Sequence, residues 1–218
     1  MSNSLTLGSG VRVEIGLTEG APKIISAVSL ALPGVASAAA HGLVFKTAGY
    51  FDSVIGMDPL DGQAARVTDT GSPSADSFGL EDIDTTNFPA FTSGVFIPIT
   101  AWSTLSQSTQ YVLGGGAGKT ENVATLIDTR EKLITILNAA ETVTIDVRAL
   151  KSDNQAMAKI RAVARQLGFL VFRITFPTGE QRLFRGQPSI PGETLQQGAT
   201  GTGQMQVTIR GQICYLTA

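Results

Sequence analysis

The chain has 218 residues, 16 basic and 18 acidic, for a formal charge of −2; that balance excludes a strongly basic nucleic-acid binder and an acidic tail protein. The length admits one large domain or two small ones, with a core that needs no disulfide staples. Only 16% of residues are charged against 43% hydrophobic, and 24 glycines fill much of the remainder, a composition that points away from disorder and towards surface hidden against other subunits.

A single cysteine, Cys214, excludes an intrachain disulfide. A single histidine, His41, cannot supply a zinc site with its three or four ligands. It lies in Ala-Ala-His-Gly with no acidic residue within ten positions on either side, so a Ser-His-Asp arrangement has no local support. His41 reads as a turn residue before Gly42. No catalytic residue, cofactor or metal site is expected.

In chain order, residues 10–16 (Gly-Val-Arg-Val-Glu-Ile-Gly) alternate apolar and charged side chains between glycines, a strand with one wet face. From 24 to 45 no residue is charged, 22 positions in all and long enough for a membrane span. Pro33-Gly34 interrupts it, however, and Val28, Leu30 and Leu32 alternate with Ser29 and Ala31 in strand fashion. It also starts after Glu14 and Glu19, too late for a secretory leader. Two short strands around a Pro-Gly turn are expected, with no membrane span and no processing. Residues 21–100 carry the turn signals Pro33-Gly34, Asp61-Gly62 and Gly71-Ser72-Pro73, and three basic against eight acidic residues. That segment is −5 while the rest of the chain is +3. The shift predicts a small β domain at 21–100 inserted into a larger domain made of 1–20 and 101–218.

Beyond Thr100, strand signals recur at Tyr111-Val112-Leu113, 123–127, 132–137 and 142–147, although the apolar spacing of 132–137 also suits a helix. Gly114-Gly115-Gly116-Ala117-Gly118-Lys119-Thr120 imitates a phosphate loop. That loop needs a glycine five positions before the Gly-Lys-Thr glycine, and Leu113 stands there instead. Asp128 and Asp146 are solitary, so no carboxylate pair waits for magnesium. A glycine connection between strands is expected.

One helix follows, capped by Ser152 or Asp153, with Ala156, Ile160, Val163, Ala164 and Leu167 as its apolar stripe and Gly168 as its stop. Leu170, Phe172, Ile174 and Phe176 share one face of the next strand, and Pro177-Thr178-Gly179-Glu180 turns it into a hairpin. The last strand points Met205, Val207, Ile209, Ile213 and Tyr215 one way. Gln204, Gln206, Thr208, Arg210, Gln212 and Cys214 point the other, onto a polar face expected to meet water. Cys214 reads as an inert filler rather than a reactive thiol. Residues 186–203 form a long connection holding Pro188, Ile190, Pro191 and Leu195, of the length that binds something or is disordered.

This order of parts resembles the major tail tube proteins of long non-contractile-tailed (siphovirus-type) bacteriophages. Two stretches carry the likeness. The insert holds Ala39-Ala40-His41-Gly42-Leu43, Val54-Ile55-Gly56-Met57, Asp76-Ser77-Phe78-Gly79-Leu80 and Thr92-Ser93-Gly94, steps similar to those of a β module that recurs in phage tail components. Residues 172–211 are similar to the hairpin, loop and closing strand of tube subunits.

The resemblance implies a mainly β protein, an antiparallel β-sandwich or barrel subunit with one α-helix packed on it and the small β domain outside. It implies a structural, non-enzymatic virion protein forming stacked homo-hexameric rings around a conduit for the genome, without cofactors or a membrane. The implied partners are further copies of itself, the tape measure protein and DNA in the lumen, held non-specifically, and the tail tip and terminator proteins. The location implied is the phage tail, with the host cytoplasm during assembly. Subunit contacts are expected at Val11, Val13, Pro188, Ile190 and Leu195, with residues 2–10 and 186–203 ordering when a neighbouring ring docks. Tube channels of this kind tend to be negative, whereas the tube-like part here is +3. The alternative is a tail-tip or fibre protein binding a host glycan. That reading needs clustered exposed aromatics, and Trp102, Tyr50, Tyr111 and Tyr215 are scattered along the chain.

Overall fold

The computed structural model describes residues 10–68, 74–115, 118–123, 130, 133–138, 141–148, 154–194, 197 and 201–218. Within them the first strands are β1 (Arg12–Glu19), β2 (Lys23–Ile25), β3 (Ala27–Val28), β4 (Val35–Ser37), β5 (Ala48–Ile55), β6 (Ala64–Thr68), β7 (Ser77–Leu80) and β8 (Ser93–Thr104). Then come β9 (Ser108–Gly114), β10 (Gly118–Asn122), β11 (Leu133–Asn138) and β12 (Thr142–Arg148). Helix α1 (Gln155–Arg165), β13 (Leu170–Thr175), β14 (Gln181–Pro188), β15 (Gly192–Thr194) and β16 (Thr202–Leu216) complete the order. The protein is mainly β, as its patterning predicts. Among the described residues no helix is long and apolar enough to cross a membrane.

One curled antiparallel sheet runs β3-β4-β7-β6-β5-β8-β1-β13-β14-β16-β12-β9, with β15 added on β16 and β2 on β8. Strand β8 is the hinge of this path. Its first half pairs with β5 and β2, and its second half pairs with β1. Two apolar cores result. One gathers Phe51, Met57, Phe78 and Phe96 from residues 21–100, but also Val171, Leu183, Cys214 and Leu216 from the later strands. The other lies beneath α1 and joins Val13, Ile15, Phe172, Phe184, Ile145 and Val207 to Met157 and Ile160 of the helix.

The alternation read from the sequence explains the second core: Leu170, Phe172 and Ile174 all face it, while Val171 faces the first. The β13–β14 hairpin closes as predicted, with Gly179 at φ +90° and the Phe176 N–H donating to the Glu180 carbonyl at 2.9 Å. The ambiguous stretch 132–137 contributes strand β11, paired antiparallel with β10. The glycine stretch connects β9 to β10. Of the expected strand at 123–127, residues 124–127 lie outside the described residues.

Four expectations are corrected. Asn154, not Ser152 or Asp153, caps α1, its side chain accepting from the Ala156 and Met157 N–H groups. Leu167 leaves the apolar stripe: it takes φ +53° just past the helix and is 73% exposed. The Gly168 N–H bonds the Val163 carbonyl and the Leu167 N–H that of Ala164, so the helix stops in a Schellman turn with leucine where glycine is usual. The 186–203 connection is shorter than expected, because β14 runs on to Pro188 and β15 pairs with β16. Finally, the polar face of β16 does not meet water along its whole length: Gln204, Gln206, Thr208 and Gln212 are exposed, but the last residue of the set is not. Cys214, on that face, is buried under residues 21–100, whereas Tyr215 from the supposed inner face is half exposed.

Candidate assembly surfaces

Strand β9 ends the sheet path, and its far side pairs with no described strand. Its sequence, Ser-Thr-Gln-Tyr-Val-Leu-Gly, carries no charge. Solitary edges are normally blunted by lysine, proline or bulges to prevent pairing with another chain; this one lacks such charges.

Beside it opens a groove of about 280 Å³ lined by Val11, Val13, Ser108, Thr109, Gln110, Tyr111 and Phe176. The Tyr111 hydroxyl is buried there without a hydrogen-bond partner. Burial pushes its pKa up to about 12, with Tyr215 and Glu141 adding to the rise and Arg182 opposing it. The groove is lined by both apolar and polar side chains, and the Tyr111 hydroxyl at its side has no partner among the described residues.

A second surface is already occupied, by the chain itself. Where β16 passes under the loop before β6, Gln63 clamps it from both sides. The Gln63 amide donates to the Gln212 carbonyl at 3.0 Å and accepts from the Gln212 N–H at 2.6 Å. It also donates to the Cys214 sulfur at 3.4 Å, and the thiol donates to the Ala64 carbonyl. Close approach needs a bare backbone here. Gly211 sits at φ +81°, with the Gln63 side chain in the space a Cβ would need. Arg210 pairs with Asp61. Arg66, with 4% of its side chain exposed, binds Glu81 through two 2.6 Å contacts and reaches across to the Gln181 side chain and the Thr217 carbonyl.

At the same seam the Arg185 guanidinium lies over Tyr50 and Phe169 at 4.1 and 5.1 Å. Burial lowers its pKa, against the pull of Tyr50 and Asp52. Burial likewise pushes the Cys214 thiol up to about 12, which makes it inert, as its sequence context suggests.

The five expected contact residues fall in different settings. Val11 lines the groove, Val13 is buried under α1, Pro188 is buried at the end of β14, and Ile190 is 59% exposed. Leu195 lies outside the described residues. His41 is buried, its Nδ1 accepting from the Leu43 N–H at 2.9 Å and its Nε2 facing the Ser77 carbonyl at 3.3 Å, beside the Phe78 ring. It fastens a turn between two left-handed residues, Ala40 and Gly42. Among the described residues no three His, Cys, Asp or Glu side chains gather as a metal site.

Strand β9 thus presents an uncharged edge, bulged at Thr109, beside an open groove, and a sequence comparison gives the family. Residues 56–218 match the family model of the phage tail tube protein, TTP. The chain belongs to the phage tail tube protein family. Membership makes it a structural component of the virion tail that assembles with itself and with other tail components. The matched span starts within residues 21–100 and takes in the Gln63, Arg66 and Arg210 seam, β9 and everything after it. None of the curated proteins matches the chain.

Sequence reasoning missed the Gln63–Arg66 seam and the Tyr111–Phe176 groove. Gly62 and Gly211, both at positive φ on the two sides of the seam, were the available signal. Nothing local marks Tyr111 and Phe176 as neighbours.

Proposed function

We propose that this chain polymerises as stacked hexameric rings into the tail tube through which the genome is ejected. The observation that carries the reading is the match to the tail tube family over residues 56–218, and the uncharged free edge of β9 supports it. Pairing that edge with the next subunit would remove the aggregation-prone ladder and extend the sheet round a ring. Val11, just before β1, and Ile190, just beyond β14, are the proposed contact residues, next to the buried Val13 and Pro188, and Leu195 is proposed with them. The module at 21–100, net −5, projects outward. Tape measure protein and then DNA occupy the lumen without sequence preference, and the tail tip and terminator proteins cap the two ends. Assembly takes place in the host cytoplasm.

Negative-stain electron microscopy of the purified chain tests this. Rings or tubes are expected, and Val11→Asp, which places a carboxylate in the groove, abolishes them while leaving a folded monomer. A chain that stays monomeric at high concentration and after long incubation would overturn it.

A further inference from the structure

We propose that residues 4–7 (Ser-Leu-Thr-Leu) fold back from Gly10 as a strap that fills the slot between β1 and β9 in the free subunit, and that the next copy displaces it when it pairs with β9. This deepens the proposed polymerisation, as its regulation, and rests on it.

The slot is the place where the curled sheet fails to close on itself. On the sheet path β9 is separated from β1 by β13, β14, β16 and β12. Yet Ser108, Thr109, Gln110 and Tyr111 line one groove together with Val11, Val13 and Phe176. A groove over one face of a strand meets alternate residues. Four in succession cannot share a face, even with Thr109 bulged, so this groove runs along an edge. The other edge of β9 is taken by β12 from Ser108 to Gly114, which leaves the free one. The facing wall is equally unfinished. Strand β8 pairs with β1 from Glu14 onward, and the Leu105 N–H takes the Val13 carbonyl. Val11 lies beyond that last bond.

The occupant enters the fold at this wall. Residues 1–9 lie outside the described residues and lead directly into it. Gly10 sits in a turn at φ +88°, so the backbone bends there instead of running straight out of β1. Gly8-Ser9-Gly10 fits a three-residue hairpin loop, which asks for a left-handed glycine in its last place. Such a loop sets Leu7 opposite Val11. Paired residues share a face and faces repeat every two residues, so Leu5 and Leu7 turn to the groove with Val11, while Ser4 and Thr6 turn away. No side chain before Arg12 is charged, so nothing in the strap opposes burial. Its carbonyls give the Tyr111 hydroxyl the acceptor that the described residues do not supply.

Tethering decides between this occupant and a second copy. A segment joined to the wall of the slot meets it at a high effective concentration, which a neighbour in dilute solution does not match. A bare uncharged edge invites indiscriminate pairing, and covering it with another part of the chain is one way to prevent that. The strap is short, whereas a neighbouring strand can pair with all of β9. Growth then waits on the exchange of one for the other.

Hydrogen exchange at β9 in freshly diluted monomer reads the strap directly. Three chains are compared: the unaltered one, one lacking residues 2–7, and Leu5→Asp/Leu7→Asp, which keeps the length. Exchange at β13, deep in the fold, is the control and should be the same in all three. Strand β9 should exchange about tenfold more slowly in the unaltered chain than in either variant, and equally so at two monomer concentrations. Equal exchange at β9 in all three chains would overturn the proposal. Protection that grows with concentration would put a second copy on the edge and overturn it too.

Light scattering then follows tube growth. Both variants should grow tubes sooner than the unaltered chain, since nothing has to leave β9 first. Variants that grow more slowly would make the segment a part of the tube contact and overturn its role as a strap. If no chain forms tubes while β9 loses protection in the variants alone, the strap stands and the polymerisation reading falls.

Discussion

Strand β16 is buried twice along its length, by two different means. Its first half lies on the core under α1, where Met205, Val207 and Ile209 meet only apolar neighbours. Its second half lies under residues 21–100, where Gln63, Arg66, Asp61 and Asp82 grip it through named hydrogen bonds and ion pairs. Apolar burial on one face keeps the first half in register with its neighbours, since a one-residue slip would turn Met205, Val207 and Ile209 to water. Hydrogen bonds are directional, and an unmet partner is costly, so the second contact fixes how residues 21–100 sit on the strand. For a subunit whose neighbours must all match, the seam supplies the precision and the core supplies the strength.

The sharpest way to break this comparison is to remove one large group from each side. Phe172, fully buried and stacked on Phe184 with ring centroids 5.4 Å apart, should lose about 3–5 kcal/mol as Phe172→Ala. Arg66→Met should cost a similar amount, about 3–5 kcal/mol, since it removes both guanidinium contacts to the part-buried Glu81 and leaves that carboxylate only the Thr217 N–H and hydroxyl. The two should differ in repair. Adding Glu81→Leu to Arg66→Met should restore most of the loss, because the pair costs desolvation as well as giving attraction. Urea unfolding of the single and double variants checks this. A double variant no more stable than Arg66→Met would mean the seam depends on that ion pair and not on its geometry.

Next in size is Gln63→Ala, with an expected loss of about 1–3 kcal/mol from the unmet Gln212 backbone groups. Gly211→Ala should lose about 1–2 kcal/mol through its left-handed φ, with displacement of Gln63 in addition. Both should raise the reactivity of Cys214 towards a disulfide reagent at pH 8, which Phe172→Ala without unfolding should not do. The thiol also ties the seam to pH. Its folded pKa of about 12 stands above the ordinary thiol value of 9.0, so the unfolded chain loses that proton first. Stability should hold below about pH 9 and decline as pH rises from there through 12. A pH series of unfolding midpoints on Cys214→Ala, flattened between about pH 9 and 10, would confirm the source; above that the raised Tyr50 and Tyr111 hydroxyls add a decline of their own.

Much of this division was written in residue order, and the part that was not has a physical reason. The apolar side of β13 and of the first half of β16 is plain alternation, because a strand with one buried face repeats every two residues. That rule fails after Arg210. Pairing shifts between Leu183 and Arg185, and residues 21–100 cover the end of the strand, so Cys214 and Leu216 are buried where alternation alone predicts exposure. Gln63 contacts a strand about 150 positions later in the chain, a separation at which no local pattern operates. Val11 was legible as an apolar contact residue on an alternating strand, yet the groove it lines depends on Tyr111 and Phe176 arriving from elsewhere in the chain.

The smallest effect belongs to the one helix, and it sets a baseline for the core side. Asn154 accepts from the Ala156 N–H at 2.9 Å and the Met157 N–H at 3.4 Å, so Asn154→Ala should cost about 1 kcal/mol, and Asn154→Asp should recover it with a small gain from the helix dipole. Because α1 covers only the apolar half of β16, this loss should leave Cys214 as unreactive as in the unaltered chain. Circular dichroism on urea unfolding gives the stability and thiol titration the second value. An Asn154→Ala chain that exposed Cys214 would show the two halves of the strand to be one cooperative unit, and the contrast between core and seam would then be one of chemistry alone.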